Sequence, residues 1–359
     1  DVDDVVTGNG SHAGDHAHDI GRMAVLDAGW PVTVPGVTLN RFCGSGQQAV
    51  TFAAMGVGAG HQDLVIGAGV ESMSRPARNG TDGFHANNAH LLATHPQVPQ
   101  GLSADLIATL DGATRVDVDA LALESQHRTK AAIDEGRFER SLIPILNDDG
   151  TVALDHEEYP RPETTAEGLA DLHPSFAKFV DFKYEQSELT MAELMAQKYP
   201  GVELHNVHHA GNSSGVVDGA AAVLVSSPSY ARSRGLTPRA RFVMTAVAAD
   251  EPLIMLTAPG PAANKCLARA GMTIDDIDLF EVNEAFASVV LRFFRDTGAD
   301  PLKVNVNGGA IALGHPIGAT GAMLIGTLLD ELERRDLQTG LVAMCTGGGM
   351  GTATIIERV

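Results

Sequence analysis

Two stretches of this chain run through the same succession. TLNRFCGSG leads through a small-residue helix to DLVIGAG, and NVNGGAIALGHPIGATGA leads through another to GLVAMCTGGGMG. Each offers an extended run, a glycine-rich turn, a helix of small residues and an apolar strand that ends in glycines. Strands that alternate with helices in this way predict an α/β fold. Two such runs around a dissimilar middle predict two related halves with an insertion between them.

The local reading fills in that frame. Val5–Thr7 reads as a strand, Asp19 to Ala28 as a helix and Val32–Leu39 as extended chain. Gln47–Gly58 reads as a buried helix, and Asp63–Ala68 as a buried strand with a turn over Gly69, Val70, Glu71 and Ser72. From about Arg78 to His208 charge and proline rise, and the acidic, proline-punctuated block DHEEYPRPETT reads as a loop. The α/β pattern returns with GNSSGVVDGAAAVLVSS, read as a turn and a short helix entering the strand Ala221–Val225. Arg239–Val247 reads as a strand, Leu253–Ala270 as mostly helical, Gly318–Arg334 as a long helix and Leu341–Cys345 as a strand.

At 359 residues the chain can bury more than one core, and 44% hydrophobic residues with 39 glycines suit close helix–sheet contacts. A formal charge of −20 argues against nucleic acid or an anionic membrane surface as partner. No apolar run is long enough to span a bilayer. Three cysteines make no disulfide framework, which fits a reducing compartment, read here as the cytoplasm. The chain begins DVDDVVTGNG, without an initiator methionine and already approaching a strand, so it reads as cut into at its start. An upstream organelle-targeting segment is therefore compatible with the sequence.

Four elements carry chemistry. Cys43 sits at a Gly44-Ser45-Gly46 turn ahead of a helix, where unpaired N–H groups and the macrodipole favour thiolate. A small buried cysteine filling a tight turn is the bland alternative. His315 lies in a Gly-His-Pro turn and is placed to draw a proton from a thiol. Cys345 ends an apolar strand and opens onto Gly347, Gly348 and Gly349. Asn283, in the segment NEAFA at a strand–helix junction, can orient water or donate to an oxyanion, as Glu284 can when protonated or through water; simple N-capping is the alternative.

Together with VESMSRP, GNSSG and DGAAAVLV, these elements resemble the thiolase family over essentially the whole chain. Within it the chain is most similar to degradative 3-ketoacyl-CoA thiolases, notably the β-subunits of trifunctional fatty-acid-oxidation complexes. The resemblance implies a duplicated five-layer αβαβα fold with an inserted loop domain. The halves fall at residues 1–82 with 208–238 and at 239–359, and the CoA-binding insertion at 83–207. It implies Cys43 as nucleophile, His315 as its activator, and Cys345 as the acid and base that serves the acetyl-CoA enolate and incoming CoA. Asn283 would hold a water in one oxyanion hole, the backbone N–H groups of Cys43 and Gly347 would form the other, and Ser214 would touch pantetheine. The implied reaction is ping-pong cleavage of 3-ketoacyl-CoA by CoA, with CoA a co-substrate and no cofactor bound permanently. The biosynthetic joining of two acetyl-CoA by Claisen condensation is the alternative. The implied assembly is a homodimer or tetramer, with a hydratase/dehydrogenase α-subunit as a further partner.

Two departures stand out. Family members have a longer N-terminus, with a strand expected at the centre of the first sheet. Where a methionine-glycine pair often meets pantetheine, this chain has Gln100-Gly101. The cluster His12, Asp15, His16, His18 and Asp19 has metal-like composition but reads as a solvated or interface surface, and no metal is expected. His205, His208 and His209 read as part of the CoA-side wall; Arg128, Lys130, Arg137 and Arg140 read as a solvated helix face before they read as phosphate ligands. Two other classes stand beside the thiolase reading: a metal-dependent hydrolase, and a catalytically silent thiolase-shaped subunit, which the retention of both cysteines, His315 and Asn283 argues against. Decarboxylating ketosynthases, the nearest enzymatic rival, carry a second histidine where this chain has Cys345.

Overall fold

The computed structural model describes residues 2–75 and 88–359. Two four-stranded sheets organise them. The first uses β1 (Asp4–Gly8), β2 (Val37–Leu39), β3 (Leu64–Ser72) and β6 (Asp218–Ser226) in the order β2-β1-β3-β6. The second uses β7 (Ala240–Ala249), β8 (Leu279–Val282), β9 (Thr339–Thr346) and β10 (Met350–Arg358) in the order β7-β10-β9-β8. A small hairpin, β4 (Ile145–Leu146) with β5 (Val152–Leu154), stands apart in the insertion.

The sheets are related copies. In the first, β1 pairs parallel with β2 and β3, and β3 pairs antiparallel with β6. In the second, β8 pairs parallel with β9 and bridges in parallel to Val304, while β9 pairs antiparallel with β10. So β2, β1, β3 and β6 answer to the Val304 bridge, β8, β9 and β10. The strand β7 has no counterpart among the described residues of the first sheet. It lies at a sheet edge beside β10, so the copy relation puts the unmatched place at the edge beside β6, not at the centre as expected.

The helices Ser45–Gly58 and Thr320–Arg334 lie between the sheets, in contact with strands of both. Side-chain size explains how two helices fit there. A Cβ on Gly46 would lie 2.6 Å from the Gly318 carbonyl oxygen, and one on Gly321 would lie 2.2 Å from the Gln47 nitrogen. Helix Ile20–Asp27 covers the outer face of the first sheet; helices Pro259–Ala270 and Ala287–Thr297 cover the second. The result is five layers, αβαβα.

Local conformation departs from the sequence reading in three places. The expected turn at Gly69–Ser72 continues β3, because every residue to Ser72 pairs with β6. The expected short helix before Ala221 is strand from Asp218: alanines that favour a helix alone, Ala220 and Ala221, are held by register against Val70 and Gly69. Leu253–Leu256 is buried irregular chain, and Met255 takes φ 58; the helix starts only at Pro259.

The insertion packs helices Gln100–Asp111, Arg115–Asp134 and Met191–Lys198 against the second half. Leu102, Leu106, Met191 and Leu194 share a core with Leu253–Leu256 and Phe286. Two buried aspartates tie its return path. Asp105 accepts from the backbone N–H groups of Val207 and His208 and from His208 Nδ1 at 2.8 Å. Asp119 accepts from His209 Nε2 and Asn212 Nδ2, both at 2.8 Å. The domain boundary expected at residue 82 lies outside the described residues.

Candidate active site

The chain brings Cys43 to a cavity by a strained turn. Phe42 takes φ 50, a left-handed conformation that costs a non-glycine residue about 1–2 kcal/mol. Three hydrogen bonds hold the turn: Phe42 N–H to Asn40 Oδ1 at 2.7 Å, Ser45 Oγ to the Phe42 carbonyl at 2.6 Å and Arg41 N–H to Ser45 Oγ at 2.9 Å. Cys43 therefore stands just before the cap, Gly44, of the buried helix Ser45–Gly58. A Cβ on Gly44 would meet Thr346 at 2.7 Å, so the turn can press against the end of β9.

The cavity has a volume of about 210 Å³, and Cys43, Gln100, Ser214, Phe286 and His315 are among the residues that line it. Met73, Phe176, Val216 and Ile317 supply apolar wall. Gly314 reaches φ 89 to turn the chain, and a Cβ there would lie 2.5 Å from Val217. His315 N–H then donates to the Gly215 carbonyl at 2.9 Å. Ser214 N–H donates to the Ala285 carbonyl at 3.0 Å, tying this loop to the NEAFA segment.

The hydrogen bonds around His315 define its tautomer. Thr320 Oγ1 spends its proton on the Pro316 carbonyl at 2.9 Å, so at 2.6 Å from His315 Nδ1 it accepts. Nδ1 carries the ring proton, and Nε2 presents a lone pair. The Asn283 amide nitrogen lies 3.4 Å from Nε2, and Asn283 Oδ1 is buried without a partner among the described residues. Burial pulls the His315 pKa down to about 4, so the ring is neutral near pH 7 and able to take a proton. Thr320→Val should cost one hydrogen bond to a reacting group, about 1–3 kcal/mol, or roughly 5- to 150-fold in turnover. KM should be nearly unchanged and the unfolding temperature close to that of the native chain. Steady-state kinetics check this; unchanged turnover would remove Thr320 from the site.

Cys345 does not line this cavity. It is fully buried at the end of β9, packed with Leu253, Ala285 and Phe286, and close enough that its charge couples to that of Cys43. Both thiols are neutral at rest. Burial pushes Cys43 up to about 11 and Cys345 higher still. The macrodipole reading of Cys43 is thus overturned in sign: desolvation outweighs the hydrogen bonds offered by Gln100 and by the Gly347 and Cys43 backbone. The carboxylate of Glu71 adds to the opposition.

Glu284 faces away from the cavity. It accepts from Ser125 Oγ at 2.6 Å, Asn305 Nδ2 at 3.0 Å and the Ile311 N–H at 3.1 Å, and burial raises its pKa. It anchors the segment that enters the Gly-His-Pro turn and has no route to an oxyanion. His208 and His209 are bound to Asp105 and Asp119 and His205 is exposed, so none lines the cavity as expected. Arg128, Lys130, Arg137 and Arg140 pair with Glu124, Asp134, Glu135 and Glu333. Among the described residues no group of three or more His, Cys, Asp or Glu is arranged to hold a metal ion. Sequence reasoning missed the roles of Thr320 and Gln100. The Gly-His-Pro turn followed by a first-turn threonine was the available signal for Thr320; for Gln100 it was the place of Gln100-Gly101 where a methionine-glycine pair often meets pantetheine.

Comparison with known proteins finds the family model "Thiolase, N-terminal domain" over residues 1–179 and "Thiolase, C-terminal domain" over residues 236–358. The acetyl-CoA acetyltransferase of Allochromatium vinosum is 39% identical, across 100% of this chain and 88% of that protein. The 3-ketoacyl-CoA thiolase of Cronobacter sakazakii is 40% identical, across 100% and 87%. The crystal structure of human mitochondrial 3-ketoacyl-CoA thiolase superposes with a TM-score of 0.84 at 34% identity, covering 100% of this chain and 87% of that one.

Proposed function

The chain belongs to the thiolase family and is an acyl-CoA acyltransferase, and on that premise we propose that it works in the degradative direction, cleaving 3-ketoacyl-CoA with CoA. The observation that carries the chemistry, in either direction, is the neutral His315 with its lone pair at Nε2, in one cavity with the thiol of Cys43. His315 takes the Cys43 proton, and the thiolate attacks C3 of the substrate. The C2–C3 bond breaks; Cys345 gives its proton to the enolate, and acetyl-CoA leaves. Incoming CoA returns a proton to Cys345 and attacks the acyl-Cys43 thioester. The shortened acyl-CoA departs, and His315 gives its proton back to Cys43.

Two negative oxygens need support along this path. Asn283, through a water shared with His315, serves the thioester oxygen; the N–H groups of Cys43 and Gly347 serve the oxygen on C3. Ser214, at the cavity wall, faces the pantetheine arm. The sequence before GNSSG and the ending TATIIERV support the degradative direction. The same groups run the reverse condensation, and the Allochromatium relative carries the name acetyl-CoA acetyltransferase. We place the activity in the cytoplasm on the three free thiols. We read the assembly as a homodimer or a dimer of dimers, able to meet an α-subunit, and the halves as 1–82 with 208–238 and 239–359 around the insertion 83–207.

The test is a chain-length series of 3-ketoacyl-CoAs, from acetoacetyl-CoA upward, mixed with CoA while enolate absorbance is followed. Thiolysis should appear, with kcat/KM higher for substrates longer than acetoacetyl-CoA. Activity on acetoacetyl-CoA alone would sink the degradative reading, and no thiolysis at any length would sink the mechanism.

A further inference from the structure

One wall residue of the Cys43 cavity has no part in the reaction path just given. Gln100 is the first residue of the helix Gln100–Asp111, and among the described lining residues it brings the one carboxamide that is free to face Cys43. Its backbone is fixed by a contact that leaves no room for adjustment. A Cβ on the next residue, Gly101, would lie 2.1 Å from the ring of Phe176. Phe176 in turn packs edge-on against Phe286 at 5.7 Å, and both rings line the same cavity. Of the two lining serines, Ser213 is turned from the thiol: its Oγ donates away from the cavity, to the His209 carbonyl at 2.8 Å.

We propose that Gln100 is a further catalytic residue, whose side-chain N–H donates to Cys43 Sγ and stabilises the sulfur as it becomes a thiolate. An N–H donor strengthens its bond as the acceptor gains charge, so it favours the anion over the thiol. The need is plain from the surroundings. The titratable groups near Cys43 are His315 in the same cavity, and Cys345 and Glu71, both close enough to interact with it by charge; none is a cation at rest, and the negative charge of Glu71 opposes a second one. The Gln100 bond is the largest of the influences that lower the proton affinity of Cys43, ahead of the Gly347 N–H. The inference rests on Cys43 being the nucleophile.

The test reads the thiol directly, without thiolysis. The whole protein is alkylated with iodoacetamide at about pH 8, where reaction follows the thiolate fraction, and labelling of Cys43 is timed by mass spectrometry. Gln100→Met should slow it roughly 3- to 10-fold. Gln100→Glu, which has the same shape but brings an acceptor and a charge, should slow it about tenfold or more. The order Gln, Met, Glu is the expected result. A packing role predicts that Met, of similar size, matches Gln, and a Cys43 labelling rate in the Gln100→Met protein within a factor of about 1.5 of the native rate would overturn the proposal. Failure of the nucleophile reading looks different: Cys43→Ser would keep its thiolase turnover.

Discussion

Cys43→Ser should form no acyl-enzyme from any 3-ketoacyl-CoA, and kcat should fall by on the order of 10⁴–10⁶, the range seen when a covalent catalyst loses its nucleophile. The size of the loss follows from the surroundings. A hydroxyl is a far weaker acid than a thiol, and this pocket already penalises charge: with burial the largest influence, the thiol stands at about 11. Neutral His315 can draw a proton from sulfur as the carbon–sulfur bond forms, but it is too weak a base to do the same for serine. Folding should be untouched, because a serine fits the turn held by Asn40 and Ser45. Intact-protein mass spectrometry after substrate addition reads the acyl adduct, and an adduct on the Cys43→Ser protein would show that another residue carries the acyl group.

Most of the fold was legible because the sequence punctuates itself. Val5 and Val6, the helix capped by Asp19, and the strand that carries Cys345 all bear their own start and stop signals. The segments that misled are those where tertiary context outweighs local preference. Gly69 looks like a turn, yet sits in β3, paired with Gly8 and Ala221; a Cβ there would strike the Gly318 carbonyl at 2.2 Å, so the glycine serves close approach, not reversal. Ala220–Ala222 have helical preference and are strand because β3 lies beside them. Met255 holds a positive φ that no propensity foretells.

The site divides in the same way. Cys43, His315, Cys345 and Asn283 each stand in a short motif of glycines, prolines or polar residues, so local sequence marks them. Thr320 and Gln100 act through the fold: one decides which nitrogen of His315 holds the proton, the other reaches Cys43 from a helix of the insertion. The charge state of the thiols was misread for a related reason. A helix start is visible in sequence, whereas the depth of burial at that start belongs to the folded molecule, and desolvation is the larger effect.

Cys345→Ala separates the two thiols. Cys345 is fully buried and neutral, with Leu253, Ala285 and Phe286 around it. A thiol held so dry is a poor nucleophile but a ready donor once a carbanion equivalent arises next to it, because the proton then moves toward the stronger base. Its removal should slow carbon–carbon cleavage by on the order of 10²–10⁴, the usual value of a positioned general acid. The matching partial reaction, exchange of the acetyl-CoA methyl protons with D₂O, should fall with it. Alkylation of Cys43 by iodoacetamide should persist at a similar rate, because Cys345, the weaker acid of the two, stays neutral while Cys43 ionises. One readout falls while the other holds only if the thiols have separate duties. Retained proton exchange in the Cys345→Ala protein would assign the acid to another group, and loss of Cys43 alkylation would mean that Cys345 shapes the nucleophile and not the proton transfer.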